Sequence, residues 1–326
     1  MVRHRQEAIG KRSLASPSRL AWRVFSRNRV AVAGMVTVAA FFVVALAGLA
    51  LTKTAHPLLD PREIRLPDKL KPPLSTPNRT DLAADLQPRL GIYLFGTDEL
   101  GRDVLARMLE GAFVSLTVGF VAVGIAVATG LAVGGIAGYY GRLNIRIGPL
   151  RVMTVDTLIT GVIDVMLSFP SFFLILTVVA ILPPSIWNIM IIIGLTSWEG
   201  TARFVRAEIL SLREQEFVQA AMALGTPGPR VLLRHLLPNS VAPVLVSATL
   251  GVAGAILTES ALSFLGFGVP PPDATWGNIL SDGKRYLFDA PWLTFIPGTA
   301  IFLVVLAFNL FGEGLREAFN PKLRHG

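Results

Sequence analysis

The chain has no cysteine, which excludes disulfides and thiolate metal sites. It has only four histidines, His4, His56, His235 and His325, and no two of them show metal-ligand spacing. No Gly-x-x-x-x-Gly-Lys-Ser/Thr run is present, so hydrolysis of ATP by that kind of phosphate loop is excluded. A nucleophile paired with a base is also lacking, which argues against an intramembrane enzyme. Charge is scarce: 16% of the 326 residues are Asp, Glu, Lys or Arg, against about 25% in ordinary soluble proteins. The net charge of +8 raises the question of nucleic acid. The basic residues, however, flank apolar runs and do not interleave with aromatics as a nucleic-acid groove would require.

What is abundant is apolar surface. Hydrophobic residues make up 52% of the chain and the mean hydropathy is +0.58, the profile of a polytopic membrane protein. Residues 1–29 carry eight basic side chains against one acid, Glu7, and an uninterrupted apolar run follows over 30–51. About 22 residues at 1.5 Å each cross a hydrocarbon core of about 30 Å. The run exceeds the about 7–15 residues of a signal-peptide core, despite a weak cleavage signal at Ala45-Leu46-Ala47. It reads as an uncleaved first span with a cytoplasmic N-terminal segment, 1–29.

Residues 52–110 are proline-rich and balanced in charge, and should form an external loop of extended or irregular chain. Toward its end Thr97 or Asp98 is a plausible N-cap for a short helix. Asp98, Arg102 and Asp103 could be mistaken for a catalytic or metal cluster; without a neighbouring His or Cys they read as a structural ion-pair network. A second span over 111–139, rich in small residues, suits close helix packing in lipid. Arg142, Arg146 and Arg151 then mark a cytoplasmic loop. A third span is expected over 157–182 and a fourth from Ser185 through Trp198, Glu199, Arg203 and Arg206. The fifth is expected over 241–262 and the sixth over 292–311, with a cytoplasmic tail, 313–326. Pro170 and Pro297 are weak hints of broken helices.

Ionisable residues inside apolar segments each cost at least about 2.5 kcal/mol at mid-membrane if left alone. Glu259, near the outer end of its span, reads either as a substrate-path residue or as an interfacial residue bonded to a neighbouring helix. Asp164 reads as a structural hydrogen-bond hub that could also touch the path. Glu199 and Arg203, at i and i+4, suggest a local ion pair.

Between the fourth and fifth apolar runs lies the cytoplasmic stretch 208–239. Phe217, Ala220, Ala221 and Leu224 repeat at helical spacing. Gly225 stands where a left-handed C-cap would. Thr226-Pro227-Gly228-Pro229 breaks the helix, Pro229 suits the start of a second one, and Pro238 should close it. An amphipathic helix with an exposed stripe can seat in a partner's groove.

Gln219-Ala220-Ala221, then Gly225, then His235-Leu236-Leu237-Pro238 resembles, in full register, the EAA loop of ATP-binding-cassette importer permeases. Gln219 replaces the first Glu, and His235 fills an apolar position. The run Gly96-Thr97-Asp98, then Gly101-Arg102-Asp103, is similar to a block in the peptide/nickel branch. The C-terminal run from Phe308-Asn309 to Leu315-Arg316 looks like the C-type permease of dipeptide and oligopeptide importers. The resemblance implies an all-α bundle of six transmembrane helices, of the type I importer permease kind, with both termini cytoplasmic and a five-helix core domain over 111–312. It implies an inner-membrane subunit that is not itself an enzyme and holds no cofactor, ATP and Mg being bound by partners. Those partners would be a homologous B-type permease, two ATP-binding subunits, an extracytoplasmic substrate-binding protein and membrane lipid, with no nucleic acid. Gln219, Ala220, Ala221, Gly225, His235, Leu237 and Pro238 would form the ATPase-coupling loop. A nickel-chelate or other solute is an alternative cargo, and an ion-coupled secondary transporter is a different class. Between positions 141 and 156 the chain is longer than the family pattern by about ten residues, and Gly161 stands where an Arg is usual.

Overall fold

The structure is a computed structural model that describes residues 17–54, 57–147 and 150–319. The expectations for residues 1–16, for the end of the tail with Lys322 and Arg324, and for His4, His56 and His325 fall outside the described residues. Helices dominate: α1 (Pro17–Arg27), α2 (Arg29–Thr52), α3 (Val104–Tyr140), α4 (Val155–Ser168), α5 (Ser171–Ile181), α6 (Ile186–Leu195), α7 (Trp198–Arg213), α8 (Glu216–Ala223), α9 (Gly228–Val231), α10 (Leu237–Phe264), α11 (Trp276–Gly283) and α12 (Trp292–Phe319). One antiparallel hairpin, β1 (Asn144–Ile147) and β2 (Leu150–Thr154), departs from the all-α expectation and occupies the extra residues after position 141.

The central element is α3, which packs against α2, α6, α7 and α10. Its 37 residues extend about 56 Å, well beyond a hydrocarbon core of about 30 Å. It therefore joins two ends of the molecule: a loop end, formed by residues 57–103 and 265–291, and a hairpin end, carrying β1, β2 and α8. The short helix expected before it is the first turn of α3 itself. Asp103, rather than Thr97 or Asp98, is its N-cap, accepting from Leu105 N at 2.8 Å. Thr97 is occupied elsewhere, accepting from Lys71 N at 2.8 Å and donating to the Asp68 carbonyl at 2.5 Å.

Among the described residues, four helices are long and apolar enough to cross a membrane: Arg29–Thr52, Val104–Tyr140, Pro243–Phe264 and Trp292–Phe319. Large apolar side chains such as Val43, Val162, Phe173 and Phe302 are exposed along the bundle. In water such a surface would promote association; against lipid tails it is stable. The expected third span is not straight. Its two halves, α4 and α5, meet at 82°, because Pro170 has no N–H and disfavours a helical Phe169, which is extended at φ −90°, ψ 135°. Counting that pair as one gives up to five spans. The expected fourth span is also interrupted: α6 holds only ten residues, about 15 Å, and ends at Thr196-Ser197 before the more polar α7. Pro297, by contrast, lies inside a continuous α12.

The seam between α3 and α7 depends on missing side chains. A Cβ placed on Gly134 would stand 2.4 Å from the Ala202 carbonyl oxygen, so the backbones touch there. The loop segment 57–103 contains only short helical turns at Leu66–Asp68 and Ala84–Leu86, as its prolines suggested, yet it buries Arg65, Asp68, Tyr93 and Asp98.

Candidate functional site

At the hairpin end α8 closes with a two-bond cap. Gly225, at φ +76°, donates to Met222 O at 3.0 Å, and Thr226 N donates to Ala221 O at 3.2 Å. Glycine is favoured there because a Cβ would crowd the backbone at positive φ. Beneath α8, Val218 and Met222 pack with Val205 and Ile209 of α7, with Val231 and Leu236, and with Tyr139 and Tyr140 at the end of α3. Gln219 Nε2 donates to Arg213 O at 2.7 Å, and Arg213 Nη1 donates to Tyr139 O at 3.1 Å. The unit is thus fastened to α7 and α3 through its inner face.

Its other face is free of the protein. Phe217 is 46% and Leu224 86% exposed; Ala220 and Gly225 are exposed, and Ala221 is half-buried. The second helix does not stop at Pro238. It runs from α9 through a π-helical turn, Leu232–Leu236, into α10, with Pro238 in the first turn of α10. The wider turn accommodates a residue that cannot donate an i→i−4 bond and whose ring needs space. His235 and Leu237 are half-buried and Pro238 is exposed.

Between α3, α10 and the α6–α7 break lies a cavity of about 240 Å³. Ser197, Thr201, Ser247 and Thr258 line it together with Gly251 and Gly254. Ser247 donates to Val244 O at 2.9 Å and Thr258 to Gly254 O at 2.9 Å, so both hydroxyls are satisfied within α10 and keep acceptor capacity toward the cavity. A second cavity, about 440 Å³, opens at the loop end beside Glu99, Arg102, Arg107, Asp273, Asp282 and Ser263.

Glu259 lines neither of these cavities. It is fully buried, and its Oε1 accepts from Ser263 Oγ at 2.7 Å, a residue of its own helix that does reach the loop-end cavity. Asp164 is exposed and pairs with Arg203 at 2.7 Å. The local pair expected between Glu199 and Arg203 is therefore absent. Arg203 points to α4, while Glu199 is buried with Oε2 unpartnered among the described residues. Arg206 grips Asp156 through Nε at 2.5 Å and Nη2 at 2.6 Å, a second tie between α7 and α4.

The acidic and basic residues at 98–103 form the anticipated ion-pair network, with changed membership. Asp98 accepts from Arg102 Nε at 2.7 Å and Arg107 Nη1 at 2.7 Å, and Asp282 accepts from Arg107 at 2.9 Å. Asp103 serves the helix cap instead; burial holds its carboxyl above the usual range against the Leu105 and Ala106 N–H bonds. Nearby, burial pushes the Asp68 carboxyl up, but Lys71, Tyr93 and the Asn78 N–H outweigh it and leave it below its ordinary value. Its partner, the Tyr93 hydroxyl, is raised by burial and by that same carboxylate.

Residues 130–325 match the family described as binding-protein-dependent transport system inner membrane component. The chain belongs to this permease family. Residues 16–73 separately match the N-terminal TM domain of oligopeptide transport permease C. This permease is 40% identical over 309 residues to the dipeptide transport system permease protein DppC of Alkalihalophilus pseudofirmus, covering 95% of this chain and 91% of that one. It is 40% identical over 248 residues to a putative peptide transport system permease protein of Brucella suis, covering 76% and 80%. A solved structure, the inward-facing MetNI methionine ABC transporter, aligns at TM-score 0.44 and 16% identity over 63% of this chain and 94% of that one.

Several residues of the permease escaped the sequence reading. Val218, the buried anchor of α8, lies between two residues of the apolar stripe and carries no motif of its own. Arg107 and Asp282 are separated by 175 positions, and only the packing of α11 beside α3 brings them together. The cavity hydroxyls are scattered over positions 197 to 258, and nothing in their spacing marks them as one group.

Proposed function

We propose that this chain is the membrane-spanning, non-catalytic permease subunit of an ATP-driven importer in the inner membrane, translocating dipeptides, oligopeptides or related small solutes by alternating access. The observation that carries the proposal is the geometry of α8. Its motif-bearing helix turns an apolar stripe away from the chain while its opposite face is fastened to α7 and α3. A stripe of that kind suits a groove on a partner. In this reading the partner is one of two ATP-binding subunits, which also hold the ATP and Mg. The hairpin end then faces the cytoplasm, and the loop end faces an extracytoplasmic substrate-binding protein.

Six spans follow if α4 with α5 makes the third and α6 with α7 the fourth, which places both termini in the cytoplasm. A homologous B-type permease completes the translocation path. The cargo class is supported by the DppC relative, a dipeptide transport system permease; a nickel chelate is the alternative, because selection in such systems rests largely on the binding protein.

The mechanical path is short. A push on Leu224 and Phe217 acts through Val218 on α7, and the first residues of α7 line the 240 Å³ cavity. ATP-driven closure of the partners would thus move the cavity wall, provided that the two states make different contacts with α8. Gln219, Ala220, Ala221, Gly225, His235, Leu237 and Pro238 are assigned to this coupling unit. Asp164 is assigned a structural tie, and Glu259 a supporting position beneath the loop-end cavity.

Leu224→Glu tests the assignment, since Leu224 makes little contact within the chain. Affinity for the ATPase subunit should fall by roughly 30-fold or more, as for an interface hot spot, and uptake should fall with it. Thermal stability of the purified permease should stay within about 0.5 kcal/mol. Unchanged uptake with normally coupled ATP hydrolysis would refute the coupling role.

A further inference from the structure

Helix α1 ends one residue before α2 begins. Asn28 joins them, donating its N–H to Phe25 O at 3.0 Å and accepting from Val30 N and Ala31 N at 3.1 Å each. A helix fused this closely to a 24-residue apolar span is held at the edge of the hydrocarbon layer by connectivity alone. Its two faces differ. Ala21 and Phe25 are buried with Ala31 and Ala318, and Phe25 meets Phe311 edge-on at 5.8 Å. The opposite face exposes Arg19, Arg23 and Arg27 at i, i+4 and i+8, followed by Arg29. None of the four pairs with a carboxylate among the described residues. The acids at the adjoining end of α12 are engaged elsewhere: Glu317 accepts from Asn28 Nδ2 at 2.8 Å, and Glu313 pairs with Arg316 at 3.5 Å. Trp22, 58% exposed, stacks on Phe25 at 5.8 Å and stands at the border between the buried face and the arginine face.

We infer that this face of α1 is a binding site for anionic lipid headgroups, whose phosphates are held by Arg19, Arg23 and Arg27. A guanidinium presents forked N–H donors that match phosphate oxygens. An indole beside them suits the headgroup level, where one edge is wet and the other apolar. Basic residues next to a span attract anionic lipid strongly enough that three of them together are worth roughly 100-fold in binding. Depth in the bilayer distinguishes this occupant from an acidic protein: α1 cannot rise from the membrane surface without breaking its junction at Asn28.

The test uses the purified full chain, with retention of phosphatidylglycerol against phosphatidylcholine measured by native mass spectrometry. The wild type should prefer phosphatidylglycerol. Arg19→Gln/Arg23→Gln/Arg27→Gln should lose the preference by roughly 100-fold, and Arg19→Lys/Arg23→Lys/Arg27→Lys should keep most of it. Should the glutamine variant fail to fold, the wild-type preference must still weaken as salt rises from about 0.05 to about 0.5 M. Equal retention by the glutamine variant and the wild type overturns the site, as does a wild-type preference that salt leaves unchanged. In the complex co-purified with its ATPase partner, loss of that partner by the glutamine variant with phosphatidylglycerol retention intact also overturns it, making the face a protein dock. None of these readouts requires transport, so failure here leaves the importer assignment standing.

Discussion

The two ends of α3 use the same chemistry to opposite effect. At the loop end Asp98 is wholly buried between Arg102 and Arg107, with Asp282 beyond them. At the hairpin end Asp164 and Arg203 pair at the same 2.7 Å, but their side chains remain 61% and 54% exposed. Removing one partner of a buried pair strands a charge; removing one partner of an exposed pair leaves the other free to swing toward water or a new partner. The loop end therefore resembles a fixed frame. The hairpin end is held by small-residue contact and by ties that can be exchanged, which suits the part that must move if α8 transmits a push.

The largest expected effect comes from breaking the frame. Asp98→Ala leaves Arg107 with only Asp282 and removes the acceptor of the Leu100 and Arg102 N–H groups. Stability should fall by about 3–5 kcal/mol, read as a lowered unfolding temperature of the solubilised protein. At the other end the comparable injury is steric. Gly134→Val should cost about 1–3 kcal/mol, more if α7 cannot shift, because the new Cβ meets the backbone of Ala202. Equal tolerance of both substitutions would erase the contrast between the ends.

A pH titration sharpens it further. Asp68, at the loop end, titrates below its ordinary value of 3.8, so its contribution is fully present above that value and is lost as pH falls through the lower, folded value. Unfolding temperature followed below about pH 4 should fall more steeply for the wild type than for Asp68→Asn. A parallel course for the two proteins would contradict the assignment. The smallest effect belongs to Arg203→Gln, about 1 kcal/mol or less by the same measurement. A loss as large as that of Asp98→Ala would mean that the hairpin-end pair is shielded within the assembled transporter.

Legibility in the sequence followed the range of the interactions. The helix Arg29–Thr52 was readable to within a residue at each end because an unbroken apolar run and its Asn28 cap are local. Gly225 was readable because a positive φ is imposed by the last turn of its own helix. The bend at Phe169-Pro170 was only hinted at: proline marks the place, while the 82° angle is not written in its spacing. Local spacing misled at Glu199 and Arg203, where the i, i+4 rule favours a pair and Asp164, 39 positions away, takes the arginine instead. It misled again at Pro238, which looked like an end and sits within a continuous run of helix.

By itself the sequence determined that the protein lives in lipid, where its apolar runs begin and end, and which stretch carries the motif of α8. Each of these depends on composition or on neighbours within a turn or two. Only the tertiary structure decided which face of α8 is left bare, which charges are buried at the loop end, and that hydroxyl residues of α10 and of the α6–α7 break line one cavity against α3. Those outcomes rest on contacts between segments far apart in the chain, and the spacing of residues along a single helix carries no record of what will lie against it.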